Sequence, residues 1–305
     1  LPKDTVVQSW QGPESLALTA KQGYDSVLSA PYYLDKMFPT SSYYAGDPLP
    51  AHTNLNPAEA AHILGGEVCI WGELVSEENI ESRTWPYAAA VAERLWSARN
   101  VNDVQDMYRR LDIISTRLEE AGSRHRTNME TMLRRAAEGE VPPLVEDFIG
   151  LLQPLRLGVR QELNRPTQLT PLTALGDIVV ADPLAARKFA AQVEMLVNGN
   201  HADPAMSAEL LQQFDKWKRM KSEITTLAGH APMFRDAEAT ASDLEKLAIA
   251  GEEAISYMSH GTSPSADWVE RQKTLLNQAA QPKGLLRIAV LDPMQKLLNA
   301  AQTSH

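Results

Sequence analysis

The stretch that decides the fold is residues 65–96, GGEVCIWGELVSEENIESRTWPYAAAVAERLW. Its apolar run Val68-Cys69-Ile70 stops at Trp71-Gly72-Glu73, so that an aromatic ring stands two residues before a carboxylate. After a polar loop, apolar and aromatic residues recur at helical spacing from Trp85 to Trp96. A strand, an aromatic residue with an acid, and then a helix form a pattern typical of a ligand-binding βα-loop.

The same pattern occurs twice upstream of this stretch. The sequence predicts strands at residues 5–10, 25–30 and 67–71, and helices at residues 13–22, 56–64 and 85–97. The second of these helices has a clear start, because Asn56 can cap it and Pro57 fits its first position. Three consecutive βα units predict an α/β fold with a parallel sheet, either doubly wound or a barrel.

The pattern changes after about residue 102. Apolar residues at a 3.6-residue period predict one long helix from residue 103 to about residue 138. A connector that contains proline and glycine follows over residues 141–180, and residues 181–305 carry mainly helix signals. We therefore expect an α/β part at residues 1–140, this connector, and an all-α domain at residues 181–305.

Helix starts and one apolar stripe favour the all-α assignment. A capping side chain precedes proline at Asp182-Pro183, Asp203-Pro204, Ser263-Pro264 and Asp292-Pro293. The helix after Asp203 carries an apolar stripe made of Met206, Leu210, Phe214, Trp217 and Ile224. We assign this stripe to packing rather than to a ligand.

Composition and charge argue against several function classes. The 305 residues carry a formal net charge of −10 and no dense basic run, which argues against nucleic acid as a partner. No stretch has the roughly 18 consecutive apolar residues that a membrane helix needs, so no membrane partner is expected. Cys69 is the only cysteine, and His52 and His62 lack metal-ligand spacing. The sequence therefore predicts no disulfide within the chain, no metal and no other cofactor.

Each predicted strand ends in groups that can hold a sugar. Trp10 ends the first strand, Tyr33 and Asp35 follow the second, and Trp71 with Glu73 follows the third. Aromatic faces stack on the apolar faces of pyranose rings, and carboxylates accept hydrogen bonds from sugar hydroxyls. Because the active site of a (β/α)8 barrel lies at the carboxyl ends of its strands, these residues predict a carbohydrate site.

These residues also have structural interpretations. A lone tryptophan at a strand end is more often part of the core, Tyr33 can close a barrel rim, and Asp35 can cap a helix. Four further charged residues are assigned to ion pairs that fix the loop and the last helix: Glu67, Arg83, Glu93 and Arg94.

Four segments carry a resemblance to a known family: VVQSW (6–10), LSAPYYLD (28–35), GGEVCIWGE (65–73) and RTWPYAAAVAERLW (83–96). They resemble the last three barrel strands of glycoside hydrolase family 20, the β-N-acetylhexosaminidases, which include chitobiases. The resemblance covers about residues 1–120. It implies that residues 1–140 form the C-terminal three βα units of a (β/α)8 TIM barrel, followed by an all-α C-terminal domain.

The resemblance implies a role for each candidate residue. Trp10 and Trp71 would form walls of the pocket around the 2-acetamido group, and Trp71 would also stack under the sugar ring. Tyr33 would donate its hydroxyl proton to the acetamido oxygen, which makes it the implied catalytic residue in this chain. Asp35 and Glu73 would bind hydroxyls at the non-reducing end and so restrict action to a terminal sugar.

The implied activity is removal of terminal β-linked N-acetylhexosamine from an oligosaccharide or glycoconjugate, by a retaining, substrate-assisted mechanism. The family's general acid Glu and orienting Asp lie in a His-x-Gly-Gly-Asp-Glu type motif, which does not occur in the 305 residues. We therefore expect the chain to be part of a longer enzyme and inactive by itself. The missing N-terminal half of the barrel would come from the same polypeptide or from a partner chain, and the family's usual location favours a periplasmic or secreted protein.

Two other functions stay open at this point. The chain can be a non-catalytic carbohydrate-binding module that keeps Trp10, Trp71 and Glu73 for recognition. Alternatively, its helical part can be a partner-binding or dimerisation domain, which acidic, amphipathic helices permit. The sequence also leaves open the choice between GlcNAc and GalNAc, the linkage, the compartment and the oligomeric state.

Overall fold

Most of the regular structure of this chain is helical. A computed structural model describes residues 1–167, 169–199 and 203–303. Gln168, in the predicted connector, and residues 200–202 and 304–305, in the predicted all-α domain, lie outside the described residues. Within the described ranges, no helix combines the length and the apolar character needed to cross a membrane.

The strands and helices are numbered in chain order. The strands are β1 (Val7–Ser9), β2 (Ser26–Leu28), β3 (Ile63–Gly66), β4 (Leu152–Pro154) and β5 (Leu286–Ile288). The α-helices are α1 (Pro13–Lys21), α2 (Thr40–Tyr44), α3 (Pro57–Ala60), α4 (Ile80–Thr84), α5 (Tyr87–Trp96), α6 (Val104–Glu120), α7 (Thr127–Ala136), α8 (Pro143–Ile149), α9 (Leu157–Asn164), α10 (Leu175–Ile178), α11 (Leu184–Asn198), α12 (Pro204–Ala228), α13 (Glu238–His260), α14 (Ala266–Ala279) and α15 (Leu291–Thr303). Short 3-10 turns occupy Leu34–Lys36, Ala51–Thr53, Gly72–Leu74 and Pro232–Ala237.

The chain divides into two compact units. The first contains Leu1–Asn128 and Arg156–Thr170, and the second contains Met129–Leu155 and Pro171–His305. The units do not coincide with the predicted ranges, because the predicted connector is divided between them. Residues 156–170 belong to the first unit, whereas the parts of the connector on either side belong to the second.

A parallel sheet organises the first unit. Its strands lie in the order β1-β2-β3, with Val7 opposite Ser26 and Ser9 opposite Leu28. Helix α1 packs against the strands and buries Leu16 completely. The prediction of parallel strands from consecutive βα units is confirmed for these three strands.

The third strand lies earlier in the chain than predicted. Strand β3 is Ile63–Gly66 rather than residues 67–71, and α3 ends at Ala60 rather than near residue 64. Glycine is a poor strand former, so local preference at Gly65-Gly66 favours a break between a helix and a strand. In the structure the same pair is part of the strand.

A bulge in β3 explains the low strand signal. Ser26 pairs with Ile63, but the next residue of β2, Val27, pairs with Gly65, so Leu64 is an extra residue. Gly65 has a φ of 132°, a conformation that side chains other than glycine rarely adopt. The bulge therefore needs glycine where regular strand patterning would place a β-branched residue.

Two glycines make room for the ring of Tyr32. A Cβ on Gly66 would lie 2.8 Å from Tyr32 Cε2, and a Cβ on Gly46 would lie 2.6 Å from Tyr32 Cε1. The Tyr32 side chain is fully buried between them, and this burial raises the pKa of its hydroxyl to about 12. The packed ring fixes the backbone immediately before the candidate residue Tyr33.

The long helix predicted over residues 103–138 is wrong. Helix α6 ends at Glu120, and α7 begins at Thr127. Between them Gly122 has a φ of 103°, which breaks the helical backbone. The apolar period continues across the break because both helices bury one face, and period alone does not reveal a turn.

A buried histidine fixes the turn between α6 and α7. His125 is 4% exposed, with Nε2 2.7 Å from Ser115 Oγ and Nδ1 3.1 Å from Ser123 Oγ. Ser123 Oγ in turn donates to Glu81 Oε2 at 2.8 Å. Burial lowers the pKa of His125, because the charged imidazolium would lose its hydration.

We expect His125 to make the first unit less stable in acid. Because its folded pKa lies below the ordinary value of about 6.5, its contribution is fully present above that pH and is lost as the pH falls through the folded pKa. His125→Gln should therefore show a smaller drop in Tm between pH 7 and pH 5 than the parent protein. The exposed His230→Gln is the control with an unchanged drop. Equal drops in the parent and His125→Gln would contradict this assignment.

Long helices form the core of the second unit. Helix α12 packs along α13, and α13 and α11 both pack on α15. Leu210, Phe214, Trp217 and Ile224 of α12 are all buried in this core. The assignment of the α12 stripe to packing is confirmed.

The all-α prediction for residues 181–305 is wrong at β5. Strand β5 pairs antiparallel with β4, so that Leu152 lies opposite Ile288 and Pro154 opposite Leu286. Pro154 lacks a backbone donor, so it is an unusual residue within a strand. A two-stranded sheet tolerates it because both strands have a free edge.

The predicted helix starts agree with the structure to different degrees. Asp203 caps α12, since its Oδ1 accepts from the backbone N–H groups of Ala205 and Met206. By contrast, α14 is capped by Ser265, and Asp292 lies inside the first turn of α15.

Candidate functional site

Backbone pairing brings the loops after β2 and β3 together. The amide of Cys69 donates to the Tyr32 carbonyl at 3.0 Å, and the amide of Leu34 donates to the Cys69 carbonyl at 2.8 Å. Tyr33 and Cys69 thus form a parallel bridge beyond the two strands. This pairing places the chain around Tyr33 beside the chain that leads to Trp71.

Asp35 connects the two loops through its side chain. Its Oδ1 accepts a hydrogen bond from the backbone N–H of Trp71 at 3.2 Å. Asp35 is 5% exposed and lies within the Leu34–Lys36 turn, so the interpretation of Asp35 as a helix cap is wrong. Burial raises the pKa of Asp35, the Trp71 N–H opposes this, and the negative charge of Glu73 adds to it.

Tyr33 lies at the centre of the paired loops. Its side chain is 8% exposed, and Lys36 Nζ lies 5.1 Å from the centre of its ring. Burial raises the pKa of the Tyr33 hydroxyl, and the neighbouring acids Glu67 and Asp35 act in the same direction. The hydroxyl therefore keeps its proton and is able to donate it in a hydrogen bond.

The two candidate tryptophans are exposed. The side chains of Trp10 and Trp71 are 64% and 58% exposed, so neither is part of the core among the described residues. Large exposed aromatic surfaces at strand ends are available for stacking on a ligand. The contacts described above join the loops that carry Tyr33, Asp35 and Trp71, and the charge of Glu73 acts on Asp35. Trp10 directly follows the neighbouring strand β1.

Glu67 belongs to a hydrogen-bond network rather than to the predicted ion pair. Gln8 Nε2 and Ser29 Oγ both donate to Glu67 Oε1, each at 2.6 Å. These bonds lower the pKa of Glu67, so it is a carboxylate at neutral pH. The sequence interpretation missed Gln8 and Ser29. The available signal was that both lie within the last three residues of predicted strands, close in sequence to Trp10 and Tyr33.

Two of the other residues assigned to ion pairs, Glu93 and Arg94, have oppositely charged partners. Glu93 forms an ion pair with Arg110 at 2.5 Å, and Arg94 lies 3.8 Å from Asp47. Arg83 is buried in α4, and its predicted ion pair stays a prediction.

His52 and His62 each contact one carboxylate. His52 Nε2 lies 3.0 Å from Glu14 Oε1, and His62 Nδ1 lies 2.8 Å from Asp25 Oδ1. Within the part of the chain that the structure describes, no group of three or more His, Cys, Asp or Glu residues could hold a metal.

Comparisons with known proteins give matches to glycoside hydrolases. Residues 1–99 match the family described as Glycosyl hydrolase family 20, catalytic domain. The chain is similar to beta-hexosaminidase subunit beta of Sus scrofa, with 40% identity over 126 residues that cover 39% of this chain and 23% of that protein. The same subunit of Homo sapiens is 38% identical over 128 residues, which cover 40% of this chain and 23% of that protein.

A solved structure extends the likeness along the chain. The X-ray structure of Flavobacterium johnsoniae chitobiase matches with a TM-score of 0.88 and 30% sequence identity, over 98% of this chain and 46% of that chain. The fold is therefore of the TIM-barrel type found in this class of glycoside hydrolases, in a largely helical chain.

Over residues 1–99, the chain is therefore similar to the catalytic domain of glycosyl hydrolase family 20. It spans about a quarter of the length of the curated relatives and less than half of the solved chitobiase chain.

Proposed function

We propose that this chain supplies part of the substrate site of a β-N-acetylhexosaminidase that removes a terminal, non-reducing N-acetylhexosamine. The observation that carries the proposal is the pairing of the loops after β2 and β3. It brings Tyr33 and Asp35 beside the loop that carries Trp71 and Glu73, in a chain whose first 99 residues match family 20. GlcNAc and GalNAc share the 2-acetamido group that this site would bind.

The roles follow from the chemistry of each side chain. The Trp71 ring is exposed and offers a face for the apolar side of the sugar, with Trp10 as a second wall of the acetamido pocket. Asp35 and Glu73 offer carboxylate oxygens to sugar hydroxyls. Tyr33, whose hydroxyl stays protonated, donates to the acetamido oxygen and holds it for attack.

The proposed reaction is substrate-assisted and retaining. The acetamido oxygen forms a bond to the anomeric carbon while the glycosidic bond breaks, and the leaving oxygen takes a proton from a general acid. Water then attacks the anomeric carbon and gives a proton back to the same acid group. The bond from the acetamido oxygen to that carbon breaks, so the acetamido group is restored and the anomeric configuration is retained. The general acid and the Asp that orients the amide are assigned to residues outside this chain, because their motif is not among the 305 residues.

The open sheet supports the proposal that further barrel strands complete the site. Strands β1 and β3 are both edges of the three-stranded sheet, and parallel sheets are normally covered on both faces and closed in barrels. Large apolar side chains are exposed in this unit, including Val6, Leu18 and Leu64, each more than half exposed. A preceding barrel half, on the same polypeptide or a partner chain, would cover such surfaces.

A chromogenic β-GlcNAc substrate tests the proposal. We expect turnover by the complete protein that contains this chain, and no turnover by the 305-residue chain alone. Calorimetry with chitobiose on the complete protein is the second measurement. Binding of chitobiose by the complete protein without any hydrolysis would replace the proposal with a carbohydrate-binding module. Turnover by the isolated chain would contradict the assignment of the acid to another segment.

A further inference from the structure

One buried hydroxyl closes the turn that carries Asp35. The Tyr43 hydroxyl accepts a hydrogen bond from the backbone N–H of Phe38 at 2.9 Å, and it donates to the carbonyl of Leu34 at a longer 3.4 Å. Leu34 directly precedes Asp35, and Phe38 lies three residues after it. Tyr43 therefore joins both backbone ends of residues 34–38, which we call the Asp35 turn.

The Asp35 turn needs this support because its own backbone is strained. Met37 has a φ of 56° and a ψ of 48°, a left-handed conformation that is unfavourable for residues with a side chain. Within the turn, the Met37 N–H donates to the Leu34 carbonyl at 3.0 Å. The next N–H, that of Phe38, finds its acceptor outside the turn, in the Tyr43 hydroxyl.

Packing holds the Tyr43 ring in place independently of its hydroxyl. The side chain is buried, and its ring lies edge-on to the rings of Phe38 and Tyr87, with centres 6.2 Å and 6.4 Å away. The Arg156 guanidinium lies 4.9 Å from the centre of the Phe38 ring. Burial raises the pKa of the Tyr43 hydroxyl, the Phe38 N–H opposes this, and the charge of Asp35 adds to it. The hydroxyl therefore keeps its proton and is able to donate it.

The inference drawn from this geometry rests on the proposed function, in which Asp35 binds a sugar hydroxyl. We infer that Tyr43 is a positioning residue for Asp35: its hydroxyl closes the Asp35 turn and so fixes the carboxylate against the Trp71 N–H. Asp35 Oδ1 lies 3.2 Å from that nitrogen. Without the Tyr43 hydroxyl the strained turn relaxes and the carboxylate occupies a broader set of positions. Its hydrogen bonds to Trp71 and to the sugar then both weaken.

Tyr43→Phe removes the hydroxyl and leaves the packed ring. In the complete protein that contains this chain, we expect KM for a chromogenic β-GlcNAc substrate to rise about fivefold, with kcat changed less than about twofold. The effect falls on KM because Asp35 binds the sugar in the ground state as well as in the transition state. An unchanged KM would overturn the positioning role.

Tyr44→Phe is the matched control. Tyr44 is as deeply buried as Tyr43, but its hydroxyl lies 2.8 Å from Glu93 Oε1 and 3.2 Å from the Val101 carbonyl oxygen, outside the Asp35 turn. Tyr44→Phe should therefore lower Tm about as much as Tyr43→Phe does, while KM stays that of the wild type. A rise in KM of the same size in both variants would assign the effect to a general loss of stability and contradict the inference.

Asp35→Ala tests whether Tyr43 acts through Asp35. If the two residues act in series, Tyr43→Phe should not lower kcat/KM further in the Asp35→Ala background. Losses of kcat/KM that multiply would mean that Tyr43 and Asp35 act independently, which contradicts the inference.

Hydrogen–deuterium exchange at the Trp71 amide gives a readout that does not depend on hydrolysis. Because this amide donates to Asp35, a loosened Asp35 turn opens it to solvent. In the complete protein, residue-resolved exchange of the Trp71 amide should be about threefold faster or more in Tyr43→Phe and unchanged in Tyr44→Phe.

The two readouts fail in different ways. An unchanged exchange rate of the Trp71 amide in Tyr43→Phe would overturn the positioning role even if the protein is a hexosaminidase. A complete protein without any hexosaminidase activity would contradict the proposed function, while the exchange rate would still report whether Tyr43 fixes Asp35.

Discussion

Replacing Tyr33 with phenylalanine is expected to lower kcat of the complete enzyme about 100-fold, a loss of about 2.7 kcal/mol of transition-state stabilisation. The substitution removes one hydroxyl and leaves the ring, which is 8% exposed, in its packed position. The lost hydroxyl is the proposed donor to the acetamido oxygen, the atom that attacks the anomeric carbon. KM should change less than kcat, because the carboxylates and tryptophans still bind the sugar.

The neighbouring tyrosine provides a matched control. Tyr32 is fully buried, and its hydroxyl has no hydrogen-bond partner among the described residues. Tyr32→Phe should therefore keep both the fold and the wild-type kcat. Steady-state kinetics on a chromogenic β-GlcNAc substrate measures both variants. Wild-type kcat in Tyr33→Phe would remove Tyr33 from the site.

The sequence predicted those residues of the candidate site that local patterns within short segments indicate. Tyr33 and Asp35 stand two residues apart, as do Trp71 and Glu73, each directly after a predicted strand. Parallel strands bring their carboxyl ends to one edge, so local patterns at separate strand ends predict a common site. The structure joins these two pairs through the hydrogen bond from the Trp71 amide to Asp35.

The contacts that the sequence did not predict join residues far apart in the chain. Gln8 and Glu67 are 59 residues apart, and Ser29 and Glu67 are 38 apart. No periodic pattern indicates which of many polar side chains meet across such distances. The same limit applies to β4 and β5, whose pairing depends on tertiary packing rather than on the local preference of Leu152–Pro154.

Phe214→Ala is expected to lower the free energy of unfolding of the second unit by about 3–5 kcal/mol. Phe214 of α12 is fully buried, and its ring centre lies 5.3 Å from that of Trp217 and 5.9 Å from that of Phe189. Truncation removes both edge-to-face contacts and leaves a cavity that the surrounding helices cannot fill completely. Urea unfolding followed by far-UV circular dichroism measures the loss. Ile249→Ala, at a 45% exposed position of α13, is the control with a small effect.

A substitution at Gly251 on α13 tests the packing of Phe214 from the opposite side of the contact. A Cβ at this position would lie 2.3 Å from Phe214 Cζ, so Gly251→Ala forces the ring out of its place. This steric overlap is expected to lower the free energy of unfolding by about 1–3 kcal/mol, and the better helix propensity of alanine offsets about 1 kcal/mol of that loss. At the lower limit the two effects nearly cancel, and above it Gly251→Ala is destabilising. In the double variant Phe214→Ala/Gly251→Ala, the new methyl group of residue 251 enters the space that the Phe214 ring has left. The double variant should therefore be more stable than the sum of the single losses predicts, and strict additivity would show that the ring and Gly251 do not share this contact.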